Sequence, residues 1–182
     1  MANEDRAETN EGGVEFSFVA FANGSFYQKI NTNLVELSKV HPGQRVVDLA
    51  CGTGGVTKII LEKLRGARES LVIGVDLSTI ALKQAREELQ SAKDAMVEFV
   101  LGRAEQLSQL VREKVDAVVF CNAIHLVPDK SRISGEVFST LRSGGVFAFN
   151  TSFYEGSHPP ETEQWYRRWM FRSLRILRSE YG

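Results

Sequence analysis

The sequence predicts a doubly wound α/β fold, a mostly parallel sheet with helices on both faces. Three observations predict it. Short β-branched runs alternate with helical patterns from Arg45 to Thr151, with no internal repeat and no low-complexity insert. The run Val46-Val47-Asp48-Leu49 passes directly into the glycine-rich turn Ala50-Cys51-Gly52-Thr53-Gly54-Gly55. Further on, Val115-Asp116-Ala117-Val118-Val119-Phe120-Cys121 is almost unbroken in its apolar character, as expected of a parallel strand covered on both faces. At 182 residues and 43% hydrophobic content the chain can bury one sizeable core, so a single domain is expected.

Residues 1–13 carry Glu4, Asp5, Glu8 and Glu11 with almost no apolar content and read as a disordered acidic tail. Residues 14–44 read as a helical cover: Phe16 to Phe26 is aromatic-rich, and Ile30, Leu34 and Leu37 recur at helical spacing between Tyr27 and Val40. Residues 45–151 form the core. After the first strand and its turn, Leu71-Val72-Ile73-Gly74-Val75 follows the turn-like Arg65-Gly66-Ala67-Arg68 and ends in Asp76. Val97 to Leu101 alternates as a third strand and gives way to Gly102-Arg103-Ala104-Glu105. The fourth strand, Val115 to Cys121, is followed by Asn122-Ala123-Ile124-His125. Ile133, Val137 and Leu141 then repeat at helical spacing, and Ser143-Gly144-Gly145 reads as a glycine stop to that helix before a fifth strand, Val146 to Thr151.

Residues 152–182 read as a loop and an amphipathic helix. Trp165, Trp169, Leu174 and Leu177 form its apolar side, and Arg167, Arg168, Arg172, Arg175 and Arg178 its basic one. Such a helix can grip a membrane or an acidic partner. The plainer reading is a helix that lids a pocket or packs on the sheet with its arginines in solvent.

Chemistry is expected at the first turn. Gly52 and Gly54 can take backbone angles closed to other residues and let a ligand approach bare main chain, as in a nucleotide-binding turn. Two departures from the dinucleotide pattern narrow the choice. The third glycine of that pattern is here Thr57, and Asp48 stands four residues before Gly52, where a carboxylate repels a pyrophosphate and suits a sulfonium or its ammonium group. Charge thus favours S-adenosylmethionine over NAD. Asp76 lies 22 residues beyond Gly54, close to the offset of roughly 20 at which an acidic side chain accepts ribose hydroxyls from the tip of the neighbouring strand.

The acidic residue followed by G-x-G in Asp48-Leu49-Ala50-Cys51-Gly52-Thr53-Gly54 resembles the first motif of the class I S-adenosylmethionine-dependent methyltransferases, a Rossmann-like family. Asn122 to Asp129 is similar to the segment after the fourth strand in its small-molecule members, such as those of quinone biosynthesis and aconitate methylation. The resemblance covers about residues 16 to 151. It implies the strand order 3-2-1-4-5 and a cofactor site drawn from four strand ends: Asp48, Ala50, Gly52, Thr53 and Gly54 at the first, Asp76 and Leu77 at the second, Arg103, Ala104 and Glu105 at the third, Asn122 and Ala123 at the fourth. Arg103 stands where the family usually has Asp, so adenine recognition would pass to the backbone of Ala104, and Glu105 would pair with Arg103 or cap the following helix. A leading helix covers the cofactor in the family, which would bring Phe26 and Tyr27 over it unless they are core packing.

The implied activity is in-line transfer of a methyl group to a small organic molecule, leaving S-adenosyl-L-homocysteine. The sulfonium is already activated, so orientation and exclusion of water suffice. His125, just past the fourth strand, is the one candidate general base, with capping or lining of the pocket as its plainer role. His41 and His158 sit beside prolines in turns and read as structural or exposed, and Cys51 and Cys121, without C-x-x-C spacing, read as buried packing and not a metal pair.

No [DN]-P-P-[YF] motif of adenine-methylating enzymes and no acidic pair for magnesium is present, and a net charge of −1 gives no general attraction to nucleic acid. With no run of roughly 18 apolar residues and no basic-then-apolar leader, the chain is expected to be cytoplasmic. The family's last two strands are missing, so a fragment is expected, or a dimer or partner chain that completes the sheet edge. Two other functions stay open: a noncatalytic cofactor-binding subunit or truncated domain that needs a partner, and, disfavoured by Thr57 and Asp48, an NAD-dependent oxidoreductase.

Overall fold

A computed structural model of the chain describes residues 25–89 and 96–151, together with parts of 164–179. The acidic tail, the aromatic stretch before residue 25, the side chain of Phe26 and His158 lie outside the described residues. Helix α1 (Ser25–Leu37) precedes an alternation of β1 (Arg45–Leu49), α2 (Gly55–Lys63), β2 (Leu71–Asp76), α3 (Thr79–Glu88), β3 (Met96–Leu101), the short α4 (Leu107–Leu110), β4 (Val115–Cys121), α5 (Lys130–Thr140) and β5 (Leu141–Asn150).

The five strands form one parallel sheet in the order β3-β2-β1-β4-β5. Winding runs from β1 outward through β2 to β3, then returns past β1 to β4 and β5, so the direction reverses between β1 and β4. All five strands point the same way, and their carboxyl ends share one rim.

Period-two alternation sorts the core into two layers. Val47 and Leu49 of β1 face a cluster with Leu107 of α4 and Ile133 and Val137 of α5. Val46 faces the opposite cluster with Val35 of α1 and Ile60 and Leu61 of α2. Every residue of β4 is buried, which explains its unbroken apolar run. Each fully buried aliphatic side chain contributes roughly 1.5–3 kcal/mol relative to exposure. The central strands therefore hold the sheet rigid under the rim.

Two expectations at the end of the core are corrected. Leu141 does not continue the helical repeat of Ile133 and Val137: α5 stops at Thr140, and Leu141 is extended, pairing with Val115. The glycines do not stop the helix either. Gly144, at φ +76°, and Gly145 lie inside β5, in the stretch where pairing jumps from Val115 opposite Leu141 to Ala117 opposite Val146. The glycines absorb an irregularity in the ladder, the other common use of glycine in a strand. The basic tail is helical where described, with Trp165 and Trp169 65% and 52% exposed; the side chains of Leu174 and Leu177 lie outside the described residues.

Candidate cofactor site at the sheet rim

The turn after β1 is shaped by three residues with positive φ: Ala50 at 56°, Gly52 at 55° and Gly54 at 88°. The two glycines are needed for different reasons. A Cβ on Gly54 would sit 3.1 Å from Leu89 Cδ1 and 3.3 Å from Ala85 Cβ, so Gly54 lets α2 begin against α3. A Cβ on Gly52 would meet nothing within 4 Å. Gly52 thus presents bare backbone to open space, the cradle a bound group needs.

Asp76, the last residue of β2, ties that turn to the next. Its Oδ2 accepts the Gly52 N–H at 2.8 Å and its Oδ1 accepts the Ser78 N–H at 2.8 Å. Ser78 in turn caps α3, its hydroxyl accepting the Ala81 N–H at 3.2 Å. A carboxylate offers about four acceptor positions, so both oxygens keep capacity for a ligand's hydroxyls. Leu77 beside it is 70% exposed.

Asp48 lies beneath the turn and not on its open side. It shares strand parity with Val46, faces α2 and is 1% exposed. Thr57 donates to it from its hydroxyl, 2.6 Å to Oδ2, and from its backbone N–H. Because the residue just before α2, Gly54, has no side chain to cap with, Asp48 supplies the cap from the strand below. Burial is the main cause that lifts its pKa to about 7; the Thr57 hydrogen bond opposes the rise and the nearby Asp76 charge adds to it. Thr57, read as a missing glycine, is the partner that makes this carboxylate tolerable inside.

At the end of β3, Arg103 Nε and Glu105 Oε2 lie 3.6 Å apart, the pairing anticipated for them. Capping of the following segment belongs instead to Glu136 of α5, which accepts both the N–H and the hydroxyl of Ser108 at 2.9 and 2.7 Å. Those bonds hold its carboxyl below the usual range. Ala104 packs against the core from the rim, with its backbone in a short 3-10 turn.

Past β4, Asn122 has φ +53°, and its N–H is accepted by Asn150 Oδ1 at 2.8 Å and by the Asn150 carbonyl at 3.2 Å. Ala123 is buried. His125 is half-buried, with Nδ1 3.0 Å from the Thr151 hydroxyl just beyond β5. Cys51 and Cys121 are free, buried thiols, and desolvation is the largest cause pushing both well above the usual thiol range.

Parallel winding thus gathers Ala50 to Gly54, Asp76 and Leu77, Arg103 to Glu105, and Asn122 to His125 at one rim, around the point where the winding reverses, the usual ligand crevice of such sheets. His41 is exposed, precedes β1 at the opposite end and meets Gln44. Sequence reasoning did not find Ser78, Asn31 or Asn150. Ser78 is the residue a helix-cap reading of Ser78-Thr79-Ile80-Ala81 picks out; the two asparagines carry no local signal.

The fold and rim define a class. A model of the methyltransferase domain matches residues 40–178, and the chain belongs to that family. A yeast protein named "Probable S-adenosylmethionine-dependent methyltransferase CRG1", from Saccharomyces cerevisiae, is 36% identical over 117 residues, covering 63% of this chain and 38% of that one. The demethylmenaquinone methyltransferase of Listeria welshimeri is 30% identical over 114 residues, covering 63% of this chain and 47% of its own. The chain therefore spans less than half the length of these relatives. Among solved structures, a SAM-dependent methyltransferase from Aquifex aeolicus superposes with a TM-score of 0.61 at 12% identity, over 72% of this chain and 69% of that one. One from Thiobacillus denitrificans, in complex with S-adenosyl-L-homocysteine, gives 0.54 at 21% identity, over 66% of this chain and 47% of its own. These two share the fold, and the order β3-β2-β1-β4-β5 agrees with the family resemblance read from the motifs. Among the described residues no helix is long and apolar enough to cross a membrane.

Proposed function

We propose that this chain binds S-adenosyl-L-methionine at the rim and positions a small organic acceptor for in-line methyl transfer. One observation carries the reading: Asp76 joins two turns by backbone N–H bonds while Gly52 beside it faces open space. That pairs a hydroxyl-accepting carboxylate with a stretch of backbone that carries no side chain, which suits a ribose and its attached chain. The cofactor, when bound, supplies the activated methyl group.

The remaining work falls to this chain's own residues. Asp76 accepts the ribose hydroxyls. Leu77 offers an apolar surface to the adenine ring, and the Ala104 backbone its polar edge, with Arg103 and Glu105 paired beside it. Ala50, Gly52, Thr53 and Gly54 receive the amino-acid part, with Asp48 buried behind them supporting the turn and not in open contact. Asn122 and Ala123 bound the side toward the acceptor. His125, held at Nδ1, takes a proton at Nε2 from a hydroxyl or carboxyl acceptor. Small acceptors are supported by relatives named for menaquinone, arsenite and sterol methylation.

The same reading assigns residues 45–151 to the cofactor-binding core, 14–44 to its cover, 152–182 to a helix beside it and 1–13 to a tail. It has the chain work in the cytoplasm on a diffusible acceptor. Among the described residues β5 pairs only with β4, so its free edge suits a partner strand or a second copy.

Two measurements test this. Calorimetric titration with the sulfonium, its demethylated product and NAD should give heat with the first two and none with the third. Incubation with methyl-labelled cofactor and a metabolite extract should label a small molecule. Binding without transfer, by a version as long as the relatives, would favour a noncatalytic cofactor-binding subunit, and heat with NAD alone would return the oxidoreductase reading.

A further inference from the structure

Helix α1 is hydrogen-bonded to the rim through the side chain of Asn31. Among its residues with described burial, only Asn31 and Val35 are buried, one turn apart on the same face. Asn31, 7% exposed, accepts two bonds at its Oδ1: from Asn122 Nδ2 at 3.1 Å and from Asn150 Nδ2 at 3.1 Å. Asn122 follows β4, and Asn150 ends β5.

The orientation of all three carboxamides follows from one backbone group. The Asn122 N–H can only donate, so the atom of Asn150 at 2.8 Å from it must be the oxygen. The Asn150 NH₂ is thereby turned toward Asn31, which must answer with its own oxygen. That oxygen then receives the NH₂ of Asn122 as well. The relay closes on the residue where it began, and that residue is the one held at φ +53° beside the cofactor turn.

We infer that Asn31 is a positioning residue for the rim: its carboxamide oxygen, oriented by the relay through Asn150, clamps α1 onto the ends of β4 and β5 and holds Asn122 in its left-handed conformation. The link to cofactor binding rests on the functional reading above. The clamp itself does not.

Hydrogen exchange of the protein without ligand tests the clamp, and cofactor titration tests its consequence. Asn31→Ala leaves two NH₂ groups without an acceptor, and Asn150→Asp sets a carboxylate oxygen against the Asn31 oxygen. Both should speed exchange in residues 25–37 and 122–127 by about tenfold or more, with β1 and β4 still protected. Asn31→Asp keeps the acceptor and should stay within about threefold of the parent, and it should restore the cofactor affinity that Asn31→Ala loses. Unchanged exchange in Asn31→Ala overturns the proposal. So does equal acceleration in Asn31→Asp, which would mean that the NH₂ and not the oxygen matters, and so does loss of protection throughout the sheet, which would make Asn31 an ordinary core residue. Absence of cofactor binding in the parent with the exchange pattern intact would sink the functional reading and leave the clamp standing.

Discussion

Asp76 Oδ2 accepts the Gly52 N–H at 2.8 Å across 24 residues of chain, and this bond joins the turn after β1 to the end of β2. The carboxylate fixes the loop that offers bare backbone and stands ready at the same place as an acceptor. Shape and chemistry at the ends of β1 and β2 therefore meet in one side chain.

Asp76→Asn should separate these roles from folding. An amide has one accepting oxygen for the two N–H groups of Gly52 and Ser78, so one part-buried donor loses its partner at about 1 kcal/mol. Cofactor affinity should drop by about tenfold or more, read by calorimetry. An unchanged dissociation constant would remove Asp76 from the site.

The two glycines should part company on substitution. Gly54→Ala meets Ala85 and Leu89 and keeps a φ of 88°, so it should lower stability by about 1–3 kcal/mol. Gly52→Ala meets no protein atom, and Ala50 already shows that alanine can hold nearly the same φ. It should cost only about 1 kcal/mol in stability yet weaken binding strongly, because the new methyl enters the space the ligand needs. Thermal melts beside binding titrations would show the contrast, and equal losses of stability would refute it.

Stability should fall as pH rises from about 4 to about 7, through Asp48. Its folded pKa of about 7 lies above the ordinary 3.8, so between those values the folded chain holds a proton that the unfolded chain has released. The contribution is full below the lower value, is lost as pH approaches the upper, and is flat beyond it, with a span on the order of 4 kcal/mol. Urea melts at pH 5 and pH 8 should capture roughly 2–3 kcal/mol of it. Asp48→Asn should remove most of the slope, and a mutant with the parent's slope would assign it elsewhere.

Both thiols should be inert near neutral pH. Cys51 and Cys121 are buried, and desolvation keeps them protonated, so alkylation of the folded chain by iodoacetamide should be much slower than of the urea-unfolded chain. Prompt labelling without denaturant would show that one of them is reachable and activated.

What the sequence determined by itself was whatever chemistry is local or periodic. The apolar run of β4, the strand that ends in Asp76, the glycine turn and the buried pair Ile133 and Val137 are each written within a few residues, and parallel winding then carries the motifs to one rim without further instruction. Tertiary structure decided matters that depend on what stands opposite. Leu141 fits a helical repeat but is drawn into β5 by pairing with Val115. Asp48 points beneath α2 and not into the open because strand parity puts it on the side of Val46. Gly52 and Gly54 look alike in the chain and differ only in whether α3 lies against them. Asn31 finds its partners 91 and 119 residues away, a distance over which no local pattern reports, because a hydrogen bond between amides depends on position in space and leaves no periodic trace in the sequence.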